Sequence, residues 1–216
     1  MRANGSSKAK LVIIALTLVL AMGVAGISAY FTDAETVTNT FVVGDVSLDL
    51  EEPSWDPDPE DPVVPNEEVE KDPQIKNDGT NDMYVFLKVE MPYAEVITAN
   101  ADGTKNAAAW MELFTYEIND GWVAMGAPVA DKVNGTYTQI YAYAADDEMI
   151  ALSKDVTTPA LFDSVKLQNI VEGQNIEGST ENIVITAYGI QTDNINGGKT
   201  DPAGVWEVVL NQAAAN

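Results

Sequence analysis

The hydrophobic pattern changes character once, near residue 30. Before that point Leu11 to Ile27 (LVIIALTLVLAMGVAGI) is almost continuously apolar. After it the pattern becomes short runs of period two. Thr36 to Val43 is rich in Thr, Val and Phe, which suits a strand, and Gly44-Asp45 is a turn or bulge signal. Val46, Leu48 and Leu50 then alternate with Ser47 and Asp49, as in a half-buried strand.

Residues 51–66 (EEPSWDPDPEDPVVPN) break the alternation. Five prolines fall among acids there. Proline removes backbone donors and the acids repel one another, so this stretch predicts an extended surface loop. Val69 to Ile75 predicts an edge strand, interrupted by Pro73, and Asn77-Asp78-Gly79 a turn. Met83 to Met91 (MYVFLKVEM) is the clearest strand. Residues 94–109 read as a loop or short helix. Trp110 to Ile118, the turn Asn119-Asp120-Gly121 and Trp122 to Met125 together predict a hairpin. Thr136 to Ala144 carries Tyr137, Tyr141 and Tyr143 at period two, a pattern of cross-strand packing.

A polar connector, Ala145 to Lys154, leads to strands at Val165 to Val171 and Glu181 to Thr192. Asp201 can cap a helix with Pro202 in its first position, and Val205, Trp206, Val208, Val209 and Leu210 give that helix an apolar stripe. Eight or so strands with frequent turn signals and one terminal helix predict a mainly β protein. The architecture expected is an antiparallel, jelly-roll-like β-sandwich.

The apolar run has Arg2, Lys8 and Lys10 in front of it and small residues at its exit. Those are the three parts of a secretory signal peptide. The expected cut lies between Ala29 and Tyr30. The run of 17 residues is near the lower limit for spanning a bilayer and has no basic flank on its far side. Retention as an anchor is therefore the weaker reading, and membrane contact is expected only before cleavage. Residues 1–29 are then the signal and 30–216 a single domain. No sortase-type motif precedes the terminal NQAAAN, so covalent wall anchoring is not expected.

Charge narrows the partners. The chain has 11 basic and 34 acidic side chains, net −23. Removing residues 1–29 takes away three of the basic residues and no acid, so the mature chain carries net −26. Such a charge repels phosphate backbones and excludes nucleic acid as a partner. The chain contains no cysteine and no histidine. Ser–His–Asp and Cys–His catalysis are thereby excluded, as is the His-Glu-x-x-His zinc helix. Carboxylate runs such as Asp146-Asp147-Glu148 are expected by chance in so acidic a chain. No catalytic residue, metal ligand or cofactor is assigned. Calcium on the 51–66 loop is a minor alternative, because the spacing departs from the Asp-x-Asp-x-Asp-Gly loop.

Several passages resemble one family. The signal ending in Ala29-Tyr30-Phe31-Thr32-Asp33, then Thr38-Asn39-Thr40-Phe41 and Gly44-Asp45-Val46-Ser47-Leu48, resembles the TasA/camelysin family of Gram-positive bacteria. Lys71 to Val89 and Ala187-Tyr188-Gly189-Ile190-Gln191-Thr192-Asp193 are similar to later family passages. The resemblance implies processing by the signal peptidase SipW, secretion, and a place in the extracellular matrix or on the cell surface. Family members form biofilm fibres, in which the mature N-terminal segment is donated as a strand to the next subunit. In this chain the implied donor lies in Tyr30 to Leu50, with Thr36, Val37, Phe41, Val43, Val46, Leu48 and Leu50 as its apolar and β-branched positions. The expected partners are signal peptidase, further copies of the chain and other matrix proteins.

Family relatives labelled metalloproteases imply an activity that a histidine-free chain does not support. The expectation is a structural protein and not an enzyme. A monomeric binding module for a glycan or host ligand is the alternative. Of Trp55, Trp110, Trp122 and Trp206, Trp55 is the one expected to be exposed.

Overall fold

One strand organises the molecule. Met83 to Val96 (β4) is 14 residues long, and the side chains of its first half are buried on both parities. A strand covered on both faces reads as a continuous apolar run, which is why MYVFL does not alternate. The computed structural model of the chain describes residues 46–54, 63–174, 182–193 and 198–213. All of these fall in one compact unit, Gly44–Asn216.

In chain order the strands are β1 (Leu48–Glu51), β2 (Glu68–Glu70), β3 (Gln74–Asn77), β4, β5 (Ala109–Glu112), β6 (Phe114–Thr115), β7 (Trp122–Ala124), β8 (Val129–Asp131), β9 (Thr136–Ala145), β10 (Glu148–Met149), β11 (Ser164–Leu167) and β12 (Val184–Gln191). Among the described residues one helix, α1 (Pro202–Ala213), follows. The principal sheet runs β10-β9-β4-β12, with β5 on β4 and with β7 and β8 on β9. The described residues also form a three-stranded sheet, β2-β11-β6, and a two-stranded sheet, β1-β3. Every pairing is antiparallel. The fold is thus mainly β and antiparallel, as its patterning predicts.

Alternation along β4 separates two cores. Met83, Val85, Leu87, Val89 and Met91 pack with Ile75, Leu161, Phe162 and Val165 from the smaller sheets and their connections. Tyr84 and Phe86 on the other face pack with Ile190 and with Val205, Val208 and Val209 of α1. The helix begins as its sequence dictates. Asp201 Oδ1 accepts the Gly204 N–H at 2.7 Å, and Pro202 occupies the first helical position. Such a cap satisfies one of the backbone donors that a helix start leaves without partners.

Several expected elements divide differently. The Val69–Ile75 segment is two strands in two sheets, because Lys71-Asp72-Pro73 turns the chain from β2 to β3. The Trp110–Ile118 segment also splits, at Leu113: β5 joins β4 and β6 joins β11. The hairpin expected around Asp120-Gly121 does not form. Its second arm, β7, pairs with β9. Asn119 is held by Asp163 and by the Ala160 carbonyl, and Gly121 takes a φ of 92°, which a glycine adopts without steric cost. The connector 145–154 contains β10, which folds back on β9 around Asp146 and Asp147. The stretch after β4 is loop with isolated bridges at Thr98 and Ala99, not helix.

Candidate functional site

Of the proposed donor segment, Thr36, Val37, Phe41 and Val43 lie outside the described residues, as do Ala29 and Tyr30. Val46, Leu48 and Leu50 are described. They pack, half-buried, against the core of their own domain. Leu48 to Glu51 pairs with β3 in the register Leu48↔Asn77 to Glu51↔Gln74. The alternation therefore points the apolar side chains inward, as expected, with a partner strand in the same chain.

Three features fasten β1. At its start, the Asp78 N–H donates to the Ser47 carbonyl at 3.0 Å. Asn77, fully buried, sits opposite Leu48 and turns its amide to the carbonyls of Asn81 and Leu152. At its end, Lys71 Nζ donates to both carboxylate oxygens of Glu52 at 2.7 and 2.8 Å. Asp72 beside it accepts the backbone N–H and the hydroxyl of Ser54. Lys71 and Asp72 are 5% and 8% exposed. Charged groups tolerate such burial only when hydrogen-bonded and paired. The third feature is Gly189 on β12. A Cβ there would lie 2.7 Å from Leu48 Cδ2 and 3.3 Å from Met83 Sδ.

Sequence reasoning missed this seam. The available signal was Lys71 itself, the only cation in an acid-rich stretch, adjacent to a proline-bounded turn.

Four other titratable groups make local hydrogen bonds. Tyr116 and Tyr141 share a 2.7 Å hydroxyl–hydroxyl hydrogen bond. Burial pushes Tyr116 well above the ordinary phenol range, and the bond to Tyr141 adds to this. Tyr141 is also raised by burial, while the same bond acts in the opposite direction on it. Asp131 is lowered by the backbone N–H and side-chain amide of Asn134, and Asp102 by Thr104. Asp102 lies in an exposed turn, and Asp131 ends β8 and holds the turn that follows it.

The tryptophans divide as follows. Trp122 is buried and donates its ring N–H to the Pro159 carbonyl. Trp206 lies 5.0 Å from the Phe86 ring and 5.2 Å from Tyr188. Trp110 packs on Tyr93 at 5.3 Å, with Lys132 Nζ over its ring at 5.1 Å. Trp55 falls outside the described residues.

Residues 6–109 match the family model of the camelysin metallo-endopeptidases. The N-terminal half of this chain is camelysin-like. The match takes in the apolar leader, β1 to β3, all of β4 and the first residue of β5. Nothing matches among curated proteins or among solved structures. The camelysin description implies a metal, and the residues present do not fit one. The whole chain offers neither histidine nor cysteine. Among the described residues no three carboxylates converge as a ligand set. Asp146, Asp147 and Glu148 sit exposed on the β9–β10 turn, and Glu52 is engaged by Lys71. Among the described residues, no helix is long and apolar enough to cross a membrane.

Proposed function

We propose that this camelysin-like chain is a secreted structural protein of the extracellular matrix or cell surface, which self-associates through its N-terminal segment once its signal is removed. The observation that carries the reading is the match over residues 6–109, which joins the export segment to the strands that follow it. The β1 seam refines it. Val46, Leu48 and Leu50 are held by β3 and the core of the same chain, so the part to be donated is Tyr30 to Val43, with β1 as its anchor. An antiparallel scaffold with fixed edges suits such assembly, since an added strand gains backbone hydrogen bonds without disturbing the core.

Signal peptidase is the partner during export, and Ala29–Tyr30 the bond it cuts. In this reading the chain is not a peptidase and needs no cofactor. Its acids solvate the surface, with calcium on the 51–66 loop as a minor alternative. A glycan-stacking role finds little support at Trp110, whose ring is occupied by Tyr93 and Lys132.

Electron microscopy of protein beginning at Tyr30 tests the proposal. Fibres are expected, and they should disappear when residues 30–45 are deleted. A protein that stays monomeric across pH and calcium concentrations overturns it. Mass spectrometry of the exported chain should give Tyr30 as its first residue.

A further inference from the structure

The turn between β8 and β9 sets a glycine directly after an asparagine. Among the described residues Asn134-Gly135 is the only such pair. An asparagine side-chain amide is a weak electrophile, and the backbone nitrogen of the following residue can close a succinimide ring on it. A side chain on that residue crowds the approach, and glycine has none. The turn requires glycine at 135 on two counts. Its φ is 66°, a conformation that costs other residues sterically. A Cβ there would also lie 3.3 Å from the Tyr93 carbonyl oxygen. Asn134 is exposed, and with Gly135 it lines an open groove beside Glu90, Pro92 and Val184, so solvent reaches both residues.

One carboxylate restrains this pair. Asp131 Oδ1 accepts the backbone N–H groups of Val133 and Asn134 at 2.8 and 3.0 Å. Asp131 Oδ2 accepts the side-chain amide of Asn134 at 2.7 Å. Ring closure needs Asn134 Cγ to swing to the Gly135 nitrogen and the amide nitrogen to depart, so the Oδ2 contact must break first. The turn is tied further by the Tyr93 N–H, which donates to the Gly135 carbonyl at 2.8 Å, and by the pairing of Asp131 with Thr136.

We infer that Asn134 is a site of spontaneous deamidation, with water as the co-reactant, and that Asp131 restrains its rate. The Gly135 nitrogen attacks Asn134 Cγ and a C–N bond forms. The Cγ–Nδ2 bond breaks, and ammonia leaves with the proton that the Gly135 nitrogen gives up. Water then adds to one of the two carbonyls of the succinimide. Opening on the Cγ side returns aspartate in an ordinary backbone. Opening on the other side routes the main chain through Cβ and Cγ as isoaspartate. Nothing is oxidised or reduced. Either product replaces an amide donor by a carboxylate facing Asp131, in a groove that already carries Glu90. Isoaspartate also adds a backbone atom between the paired residues Asp131 and Thr136. The short strand β8 is therefore the element that loosens first. None of this depends on the assembly reading above.

Peptide mapping by mass spectrometry tests this on protein beginning at Tyr30 and aged in mildly alkaline buffer. The peptide spanning Asn134 should gain the mass difference between an amide and an acid. It should resolve into two products, one of them a substrate for isoaspartyl methyltransferase. Asn134→Gln should suppress the change at this position. Asp131→Ala should raise the rate roughly threefold, the scale of one exposed charge-assisted hydrogen bond. Asp131→Asn keeps an acceptor oxygen and should fall between parent and Asp131→Ala, with an unaltered melt, which separates loss of the contact from loss of the turn. Amide exchange across Val129 to Asp131 should quicken as product accumulates, while β4 and β12 stay unchanged. An Asn134 that keeps its amide while an unfolded peptide of residues 129–138 converts overturns the site. Equal rates in the parent and both Asp131 variants overturn the restraint.

Discussion

Leu48 on β1 occupies the space that a side chain at Gly189 on β12 would need. The two residues belong to different sheets, and a Cβ on Gly189 would come within 2.7 Å of Leu48 Cδ2. Gly189 does not have a positive φ, so the demand is for space and not for backbone freedom. Gly189→Ala is expected to destabilise the protein by about 1–3 kcal/mol through overpacking. Combining it with Leu48→Ala should cost less than the sum of the single changes, because the second removes the clash. Denaturant melts of the four proteins measure this. Strict additivity would show that the two side-chain positions do not compete.

The Lys71–Glu52 pair makes a second prediction. Their side chains are 6% and 22% exposed, so solvent screens the contact little. Glu52→Ala withdraws a carboxylate from a buried ammonium and should cost about 1–3 kcal/mol. The end of β1 should loosen at the same time, seen as faster amide exchange at Glu51 with β4 unchanged. A loss below about 0.5 kcal/mol, the range of an ordinary exposed pair, would sink the idea that this contact anchors the segment.

Helix α1 is held to the sheet chiefly through one face. Trp206→Ala removes the ring contacts with Phe86 and Tyr188 and should destabilise by about 2–3 kcal/mol, less than a fully buried tryptophan because the ring is half-exposed. Asp201→Ala should cost about 1 kcal/mol by removing the cap on the Gly204 N–H. Thermal melts followed by far-ultraviolet circular dichroism read both. Equal, negligible effects would mean that the helix is not coupled to the fold.

Tyr116 predicts a pH dependence. Its folded pKa is raised above the unfolded value of about 10. The neutral phenol is thus favoured in the native state, and its contribution is complete below pH 10. Above that, the unfolded chain loses the proton first and stability falls as pH rises. Tyr116→Phe lacks this group, so the advantage of the parent over the variant should shrink by about 1 kcal/mol between pH 8 and pH 11. Urea melts at the two values test the sign, and tyrosinate absorbance should show Tyr116 un-ionised until unfolding. An advantage independent of pH would contradict the assignment.

The absence of histidine and cysteine bears on the camelysin description. Homogeneous protein is expected to cleave a fluorogenic protein substrate no faster than buffer, with or without added zinc or a chelator. Zinc-dependent turnover that survives stringent purification would reverse the structural reading.

Much of the fold was legible because burial leaves a periodic trace. The unbroken apolar start of β4 records two covered faces, the alternation Val46-Leu48-Leu50 one, and Asp201-Pro202 a helix start. Pairing left no such trace. Nothing local in Trp110–Ile118 states that β5 joins β4 while β6 joins β11, since that choice is made by contacts far away in sequence. The β1 seam was illegible for a related reason. Lysine is rarely buried, so a lysine in the sequence does not by itself point to a buried ion pair. Gly189 read as one more strand residue until Leu48 was seen above it.

The sheet order also governs when the molecule can come into being. β4 pairs with β9 on one side and with β12 on the other, and β12 lies near the end of the chain. Until those last strands are available, the central strand has an uncovered flank and neither core can close. Contacts of such long sequence separation fold slowly. A chain threaded across a membrane from its N-terminus would therefore stay unfolded through most of its passage. The topology itself would keep it pliable until its final strands emerge.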